Sequence, residues 1–241
     1  MDRIDNELAH GRKISDNPEF YWGWSGVAGR LRSERRAAMY ISEGRLAPGR
    51  KALEIGCGTG IFSGLLARSG ADITSVDLSP ELAAKARQRN SAVPNLKFLV
   101  MNVERLDFPD DHFDCVCGSS VLHHLDLAKA LPEMLRVLKP GGAFVFTEPN
   151  MLNPQIMLQK NIPPLKRLLG DSPDETAFFR WNISGELRRA GFAVPVARPF
   201  DFLHPWVPGA LAPAADSFGA FLERVPLLRE IAGSLLITAS K

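Results

Sequence analysis

Cysteine is scarce in this chain, tyrosine scarcer, and no apolar run approaches the length of a bilayer. The 241 residues include three cysteines, Cys57, Cys115 and Cys117, and two tyrosines. Three cysteines, each inside a stretch that reads as core, exclude a disulfide framework and point to a reducing compartment. No Cys or His pair stands at zinc-ligand spacing, so no metal site is expected. The formal net charge of +2 leaves no strong field of either sign. Nucleic acid is therefore not an expected partner, and contact with a membrane surface has no support. The opening residues, MDRIDNELAHGRK, are charged and carry no apolar signal core. The roughly 20 apolar residues of a membrane span are not found either. A cytoplasmic protein is expected, with nothing to indicate its oligomeric state. Hydrophobic and charged contents of 45% and 23% are those of an ordinary globular chain, and the length suits one α/β domain, 1–241.

What the chain does have is a glycine-rich turn. Residues 51–60 read KALEIGCGTG: an apolar run of Ala52, Leu53 and Ile55 interrupted by Glu54, then Gly56, Gly58 and Gly60. The run has the pattern of a strand buried in a parallel sheet, and the following IFSGLLARSG has helical spacing and stops at Gly70. Strand, glycine turn and helix open a nucleotide-binding unit, because a Cβ there would hold the backbone off a ligand and resist positive φ. A dinucleotide fingerprint places its third glycine three residues after the second. Here that position is Ile61, and the spacing is G-x-G-x-G.

The segments that follow keep the alternation. Residues 71–77, ADITSVD, form a second strand ending in Asp77, and Ser79-Pro80 starts a helix. An acid at that strand end can accept hydrogen bonds from both hydroxyls of a ribose. Leu78 follows it, where it can pack on a base. Residues 95–101 read as the third strand, leading to Asn102 and Val103, and FDCVCG at 113–118 as the fourth, leading to SSVLHHLDL. A helix over 127–138 then runs into Lys139-Pro140-Gly141-Gly142, a stop before a fifth strand that ends at Glu148 and Pro149.

The acid two residues before G-x-G-x-G, the acid ending strand two, the F-D-x-V…L-H-H-L stretch and the L-K-P-G-G turn together resemble the class I S-adenosylmethionine-dependent methyltransferases over residues 51–150. The resemblance implies a Rossmann-like, doubly wound α/β fold with a seven-stranded sheet, mostly parallel with an antiparallel last strand. It implies S-adenosylmethionine as cofactor. Glu54, Gly56, Cys57, Gly58 and Gly60 would then form the cofactor loop, with Asp77 on the ribose and Leu78, Asn102 and Val103 at the adenine. Asn102 stands where the family usually has Asp, and its carbonyl can still accept from the adenine amino group. Ser119 would face the reactive end. Arg36, on a helix expected over 31–46, would hold the carboxylate of the cofactor's methionine.

Residues 1–48 make an N-terminal helical arm whose Tyr21, Trp22 and Trp24 either staple it to the core or cover the pocket. Residues 49–150 are the cofactor half, 151–181 a proline-bearing lid-like insertion, and 182–241 a second half with substrate-side segments. The expected reaction is methyl transfer to a small molecule, with oxygen as acceptor on a sugar, natural product or lipid-linked hydroxyl. His123 is the candidate base and His124 its alternative, with Glu148 and Asn150 as orienting residues. N- or C-methylation without a base is the alternative. A non-catalytic cofactor-binding protein and an NAD-dependent dehydrogenase are the more distant readings.

Overall fold

A computed structural model describes residues 3, 4, 6, 11, 12, 16–169 and 175–241. The expected sheet is the sheet found. Its seven strands are β1 (Lys51–Ile55), β2 (Asp72–Asp77), β3 (Leu96–Val100), β4 (Phe113–Ser119), β5 (Leu138–Pro149), β6 (Ala193–Phe200) and β7 (Ser234–Ser240). They lie in the order β3-β2-β1-β4-β5-β7-β6. β1 pairs in parallel with both β2 and β4, and β7 runs antiparallel to both β5 and β6.

From residue 16 on, the helices among the described residues are α1 (Pro18–Tyr21), α2 (Gly26–Glu43), α3 (Ile61–Ala67), α4 (Pro80–Arg89) and α5 (Leu127–Val137), followed by α6 (Pro154–Asn161), α7 (Pro163–Leu168), α8 (Arg180–Arg189), α9 (Ala212–Leu222) and α10 (Pro226–Arg229). Their starts follow the local chemistry. Ser79 accepts from the Leu82 amide at 3.2 Å, with Pro80 in the first turn of α4. Asp126 does the same for α5 through Ala128, also at 3.2 Å.

Strand alternation sends successive side chains into two cores, one on each face of the sheet. Leu53, Ile55, Val116, Phe144 and Phe146 pack against α5 and α8. Ala52, Cys115, Cys117 and Val145 pack against α2 and α3 through Tyr40, Phe62 and Leu66. Cys115 and Cys117 are thus core, as expected. The L-K-P-G-G stretch does not stop the chain before β5. It is taken into that strand as an irregularity, with Phe113 opposite Leu138 and Cys115 opposite Ala143. Gly141 supplies the positive φ, +73°, that lets the strand continue past it.

This topology fixes where a ligand can go. β2 and β4 leave β1 on opposite sides, so the connections beyond their carboxyl ends part and open a crevice above Ile55. The 151–181 segment sits beside it as α6 and α7, and residues 170–174 of that insertion lie outside the described residues.

Candidate active site

One cleft of about 410 Å³ opens at that switch point, and most of the expected residues line it. Its floor is the glycine turn. The Gly56 and Cys57 amides both donate to the Val76 carbonyl, at 2.9 and 3.1 Å, which draws the loop against β2. Gly56 and Gly58 have φ of +69° and +53°. A Cβ on Gly56 would stand 2.6 Å from Val121, and one on Gly58 3.0 Å from the Trp22 ring. Asp77 accepts from the Gly58 amide at 2.8 Å and the Ser79 amide at 2.9 Å. Burial raises its pKa against those two bonds. Each oxygen can accept a further hydrogen bond, and Leu78 and Val103 line the same cleft.

Two expected loop residues belong elsewhere. Glu54 does not reach the cleft: alternation along β1 turns it under the loop. There it accepts from the hydroxyls of Ser63 and Ser75, the latter at 2.6 Å. Full burial lifts its pKa to about 7, against the pull of those two hydroxyls. Gly60, with φ of +78°, starts α3 and lies against α4, where a Cβ would meet Asn90 at 2.6 Å and the Ala86 backbone at 3.0 Å. It allows close helix packing and takes no part in the cleft wall. Asn102 does line the cleft, but its carbonyl already accepts from the Glu104 amide at 3.0 Å. One lone pair and the amide group remain for a ligand.

Arg36 enters the cleft from α2 and is only 2% exposed. Its Nη2 donates to Asp201 at 2.5 Å and to the Ser234 hydroxyl at 2.7 Å. Its guanidinium lies 5.1 Å from both the Trp24 and the Phe200 ring centres. Its Nε and Nη1 are buried with no hydrogen-bond partner among the described residues. Arg32 shares Asp201 at 3.0 Å. Burial alone would raise the Asp201 pKa, yet the two guanidinium charges hold it below the usual value. Sequence reading missed Asp201 and Arg32. Asp201 lies in the irregular stretch after β6, where no period or motif marks it. Tyr21, Trp22 and Trp24 all reach the cleft, and Trp24 also packs edge-on against Phe62. The aromatic arm is therefore both staple and wall.

At the other end stands His123, in a 3₁₀ turn, Leu122–His124, just past β4. Ser119, at the tip of β4, bonds Thr147 at 3.2 Å beside it. One carboxylate builds the turn: Glu148 Oε1 accepts the Val121 and Leu122 amides at 2.9 and 2.8 Å, and Oε2 meets His123 Nδ1 at 2.5 Å. Nε2 lies 3.6 Å from Glu175, which lines the same cleft and also pairs with Lys160 of α6. Burial alone would lower the His123 pKa, but Glu148 and then Glu175 push it up to about 9. Burial would raise that of Glu175, and His123 and Lys160 hold it far below the usual carboxylate value. Asn150, expected as an orienting residue, turns away and donates to the Glu230 and Ala232 carbonyls at 2.9 and 2.8 Å, tying β5 to the final loop.

His124 also lines the cleft, its ring centre 4.1 Å from that of His123. The two imidazoles and Glu175 bring ligand atoms within 4.8 Å of one another. Lys160 already holds the carboxylate of that trio, so a divalent ion would stand beside an ammonium, which its charge disfavours.

Comparison with known proteins agrees with this geometry. The family described as a methyltransferase domain matches residues 53–146. A solved S-adenosylmethionine-dependent methyltransferase from Archaeoglobus fulgidus superposes with a TM-score of 0.62 at 19% identity, covering 88% of this chain and 94% of that one. A malonyl-[acyl-carrier protein] O-methyltransferase of Serratia marcescens is 38% identical over 109 residues, 44% of this chain. The match spans only 41% of that enzyme's length. An uncharacterised methyltransferase of Synechocystis sp. is 31% identical over 154 residues, covering 62% of this chain and 69% of the relative. A likeness that extends over so much of a relative, on a sheet with its cleft at the switch point, fixes the family: the chain belongs to the class I S-adenosylmethionine-dependent methyltransferases, whose cofactor is S-adenosylmethionine.

Proposed function

We propose that this chain transfers a methyl group to an oxygen of a small-molecule acceptor, with His123 facing that oxygen. One observation carries the reading: His123, a cleft-lining residue, is fixed at Nδ1 by Glu148 and has Nε2 on the side of Glu175, which lines the same cleft. The bound cofactor supplies an electrophilic methyl on a positively charged sulfur. The chain's own residues hold it and align the acceptor, an effect worth up to about 7–11 kcal/mol. Asp77 takes the ribose, Leu78 and the 102–103 turn the adenine, and the Gly56–Gly58 backbone the methionine arm. The partnerless Nε and Nη1 of Arg36 receive the carboxylate of that arm. A hydroxyl acceptor gives its proton to His123 Nε2, and Glu148 stabilises the imidazolium that forms. N- or C-methylation leaves this fixed imidazole without a task.

The test is transfer of radiolabelled methyl to matched alcohols, carboxylates and amines of one carbon skeleton. Products methylated at oxygen, lost in His123→Ala and retained in His124→Ala, are expected. Methylation of the amines alone defeats the reading. With a hydroxyl acceptor, the rate should climb as pH rises toward 9, since the base must shed the proton that Glu148 and Glu175 hold on it.

A second reading of His123 is favoured by the carboxylate already resting on Nε2. In it the ring stays protonated and donates to an acceptor that arrives as an anion. The contact of Glu175 with both His123 and Lys160 motivates it.

A further inference from the structure

In the insertion after β5, α6 reverses the usual order of a surface helix. Ile156, Gln159 and Lys160 line the cleft, and Lys160 meets Glu175 there. Spacings of three and four put them on one face of the helix. The opposite face carries Met157 and Leu158, 45% and 50% exposed, and the apolar surface continues through Ile162 to Leu168, 81% exposed at the end of α7. A helix packed on a core in water places its aliphatic groups inward and its charges outward. Here a charge is inside and the aliphatic groups are outside.

The patch extends past the insertion. Gln155 of α6 donates to His204 Nε2 at 3.0 Å, and the His204 ring meets Trp206 edge-on with 5.3 Å between centres. Trp206 is 71% exposed, so an indole joins the aliphatic groups at the same rim. The charge of the segment has one sign. Between Glu148 and Asp171 the sequence has no acid and three cations, Lys160, Lys166 and Arg167. Lys160 meets Glu175 inside, and the other two lie on α7, between Ile162 and Leu168 in the chain. Exposed aliphatic groups, an indole and cations without an acid suit the boundary of a bilayer with anionic headgroups. Helices of eight and six residues are far too short to span it, so they would lie along it. A second copy of the chain fits less well, because a twofold axis would set the cations of α7 against their own counterparts.

We propose that the outer face of α6 and α7, together with Trp206, docks on an anionic lipid surface. α6 then has lipid on one side and the cleft on the other. The docking does not depend on which acceptor atom is methylated.

The experiment is co-sedimentation of the full chain with vesicles of phosphatidylcholine alone or of phosphatidylcholine and phosphatidylglycerol in equal parts. The variants are Leu158→Ser/Leu168→Ser, Lys166→Gln/Arg167→Gln and, as control on the edge strand β6, Val196→Ser, where the side chain is also exposed. Neither leucine lines the cleft. Wild type and Val196→Ser should bind the anionic vesicles about tenfold more tightly than the neutral ones. The leucine pair should lose about tenfold in binding to the anionic vesicles, and the cation pair should lose most of the preference for phosphatidylglycerol. Equal S-adenosylhomocysteine affinity in all four proteins shows that the fold is kept. No binding of wild type to anionic vesicles overturns the proposal, as does undiminished binding by the leucine pair, an equal loss in Val196→Ser, or no preference for the anionic lipid. A dimer that the leucine pair abolishes, without vesicle binding by wild type, assigns the patch to a second copy instead.

Discussion

The two ends of the cleft are built by different means. At the glycine-loop end, backbone does most of the work. Gly56 and Gly58 leave room for a ligand, the Val76 carbonyl anchors their loop, and one acid, Asp77, is tied by two amides. At the His123 end, side chains neutralise one another: His123 with Glu148 and Glu175, and Lys160 with Glu175. The Arg32–Arg36–Asp201 cluster resembles the second kind, although it sits beside the glycine loop. Backbone geometry is local and tolerates changes nearby. A charge row fails as a unit, because removing one member leaves its neighbours buried and unbalanced.

The largest effect should come from breaking a charge cluster. Asp201→Ala strands two guanidinium groups that are 12% and 2% exposed. A loss of about 3–5 kcal/mol in unfolding free energy is expected, measured by urea denaturation. A loss below about 1 kcal/mol would mean that the cluster relaxes into solvent and that the contrast between the two ends is weaker than drawn.

His123→Ala tests the same kind of construction by function. Turnover should fall by about 10²–10⁴ if the ring moves the proton of a hydroxyl, with S-adenosylhomocysteine affinity unchanged, because the cofactor end does not rely on it. The pH profile then separates the ring's two roles. A base gains activity as pH rises toward 9, and a donor to an anionic acceptor loses it above 9.

Glu54 sharpens the comparison from beneath the backbone end. Its folded pKa, about 7, stands above the unfolded value of 4.5. For an acid this sign means that stability falls as pH rises from 4.5 through 7, by at most about 3 kcal/mol. Glu54→Gln, which can keep hydrogen bonds to Ser63 and Ser75, should flatten that part of the stability–pH curve. An unchanged slope in chemical denaturation between pH 5 and 8 would show that Glu54 is not its source.

The smallest expected effect is at the ligand contact. Asp77→Ala should weaken cofactor binding by about 1.5–3 kcal/mol, the range for hydrogen bonds to a charged group, read by calorimetry with S-adenosylhomocysteine. Folding should change less, since the loop keeps its anchor on Val76. If folding fails outright, Asp77 is a strut for the Gly58 turn before it is a ligand.

The sequence alone determined the succession of strands and helices over residues 51–150, the glycine turn after β1, and the places of Asp77 at the end of β2 and His123 just past β4. Each of these is encoded within one strand and the loop that follows it, where period, glycine spacing and chain order carry the information. It misjudged Glu54 and Gly60 because a motif records which residues recur at a loop and not which way each one faces. Strand alternation sends Glu54 under the loop to Ser63 and Ser75, and helix packing claims Gly60. It named Glu148 as an orienting residue but gave Asn150 the same task, and only the fold separates them: one carboxylate caps the histidine turn, and the amide two residues on ties down the final loop. Asp201, Lys160 and Glu175 carried no signal at all. Asp201 meets Arg36 from 165 positions away and Glu175 meets His123 across the cleft, while Lys160, on α6, pairs with Glu175 fifteen residues on; a charged residue reads as surface until tertiary structure removes the water around it and leaves another charge as its neighbour.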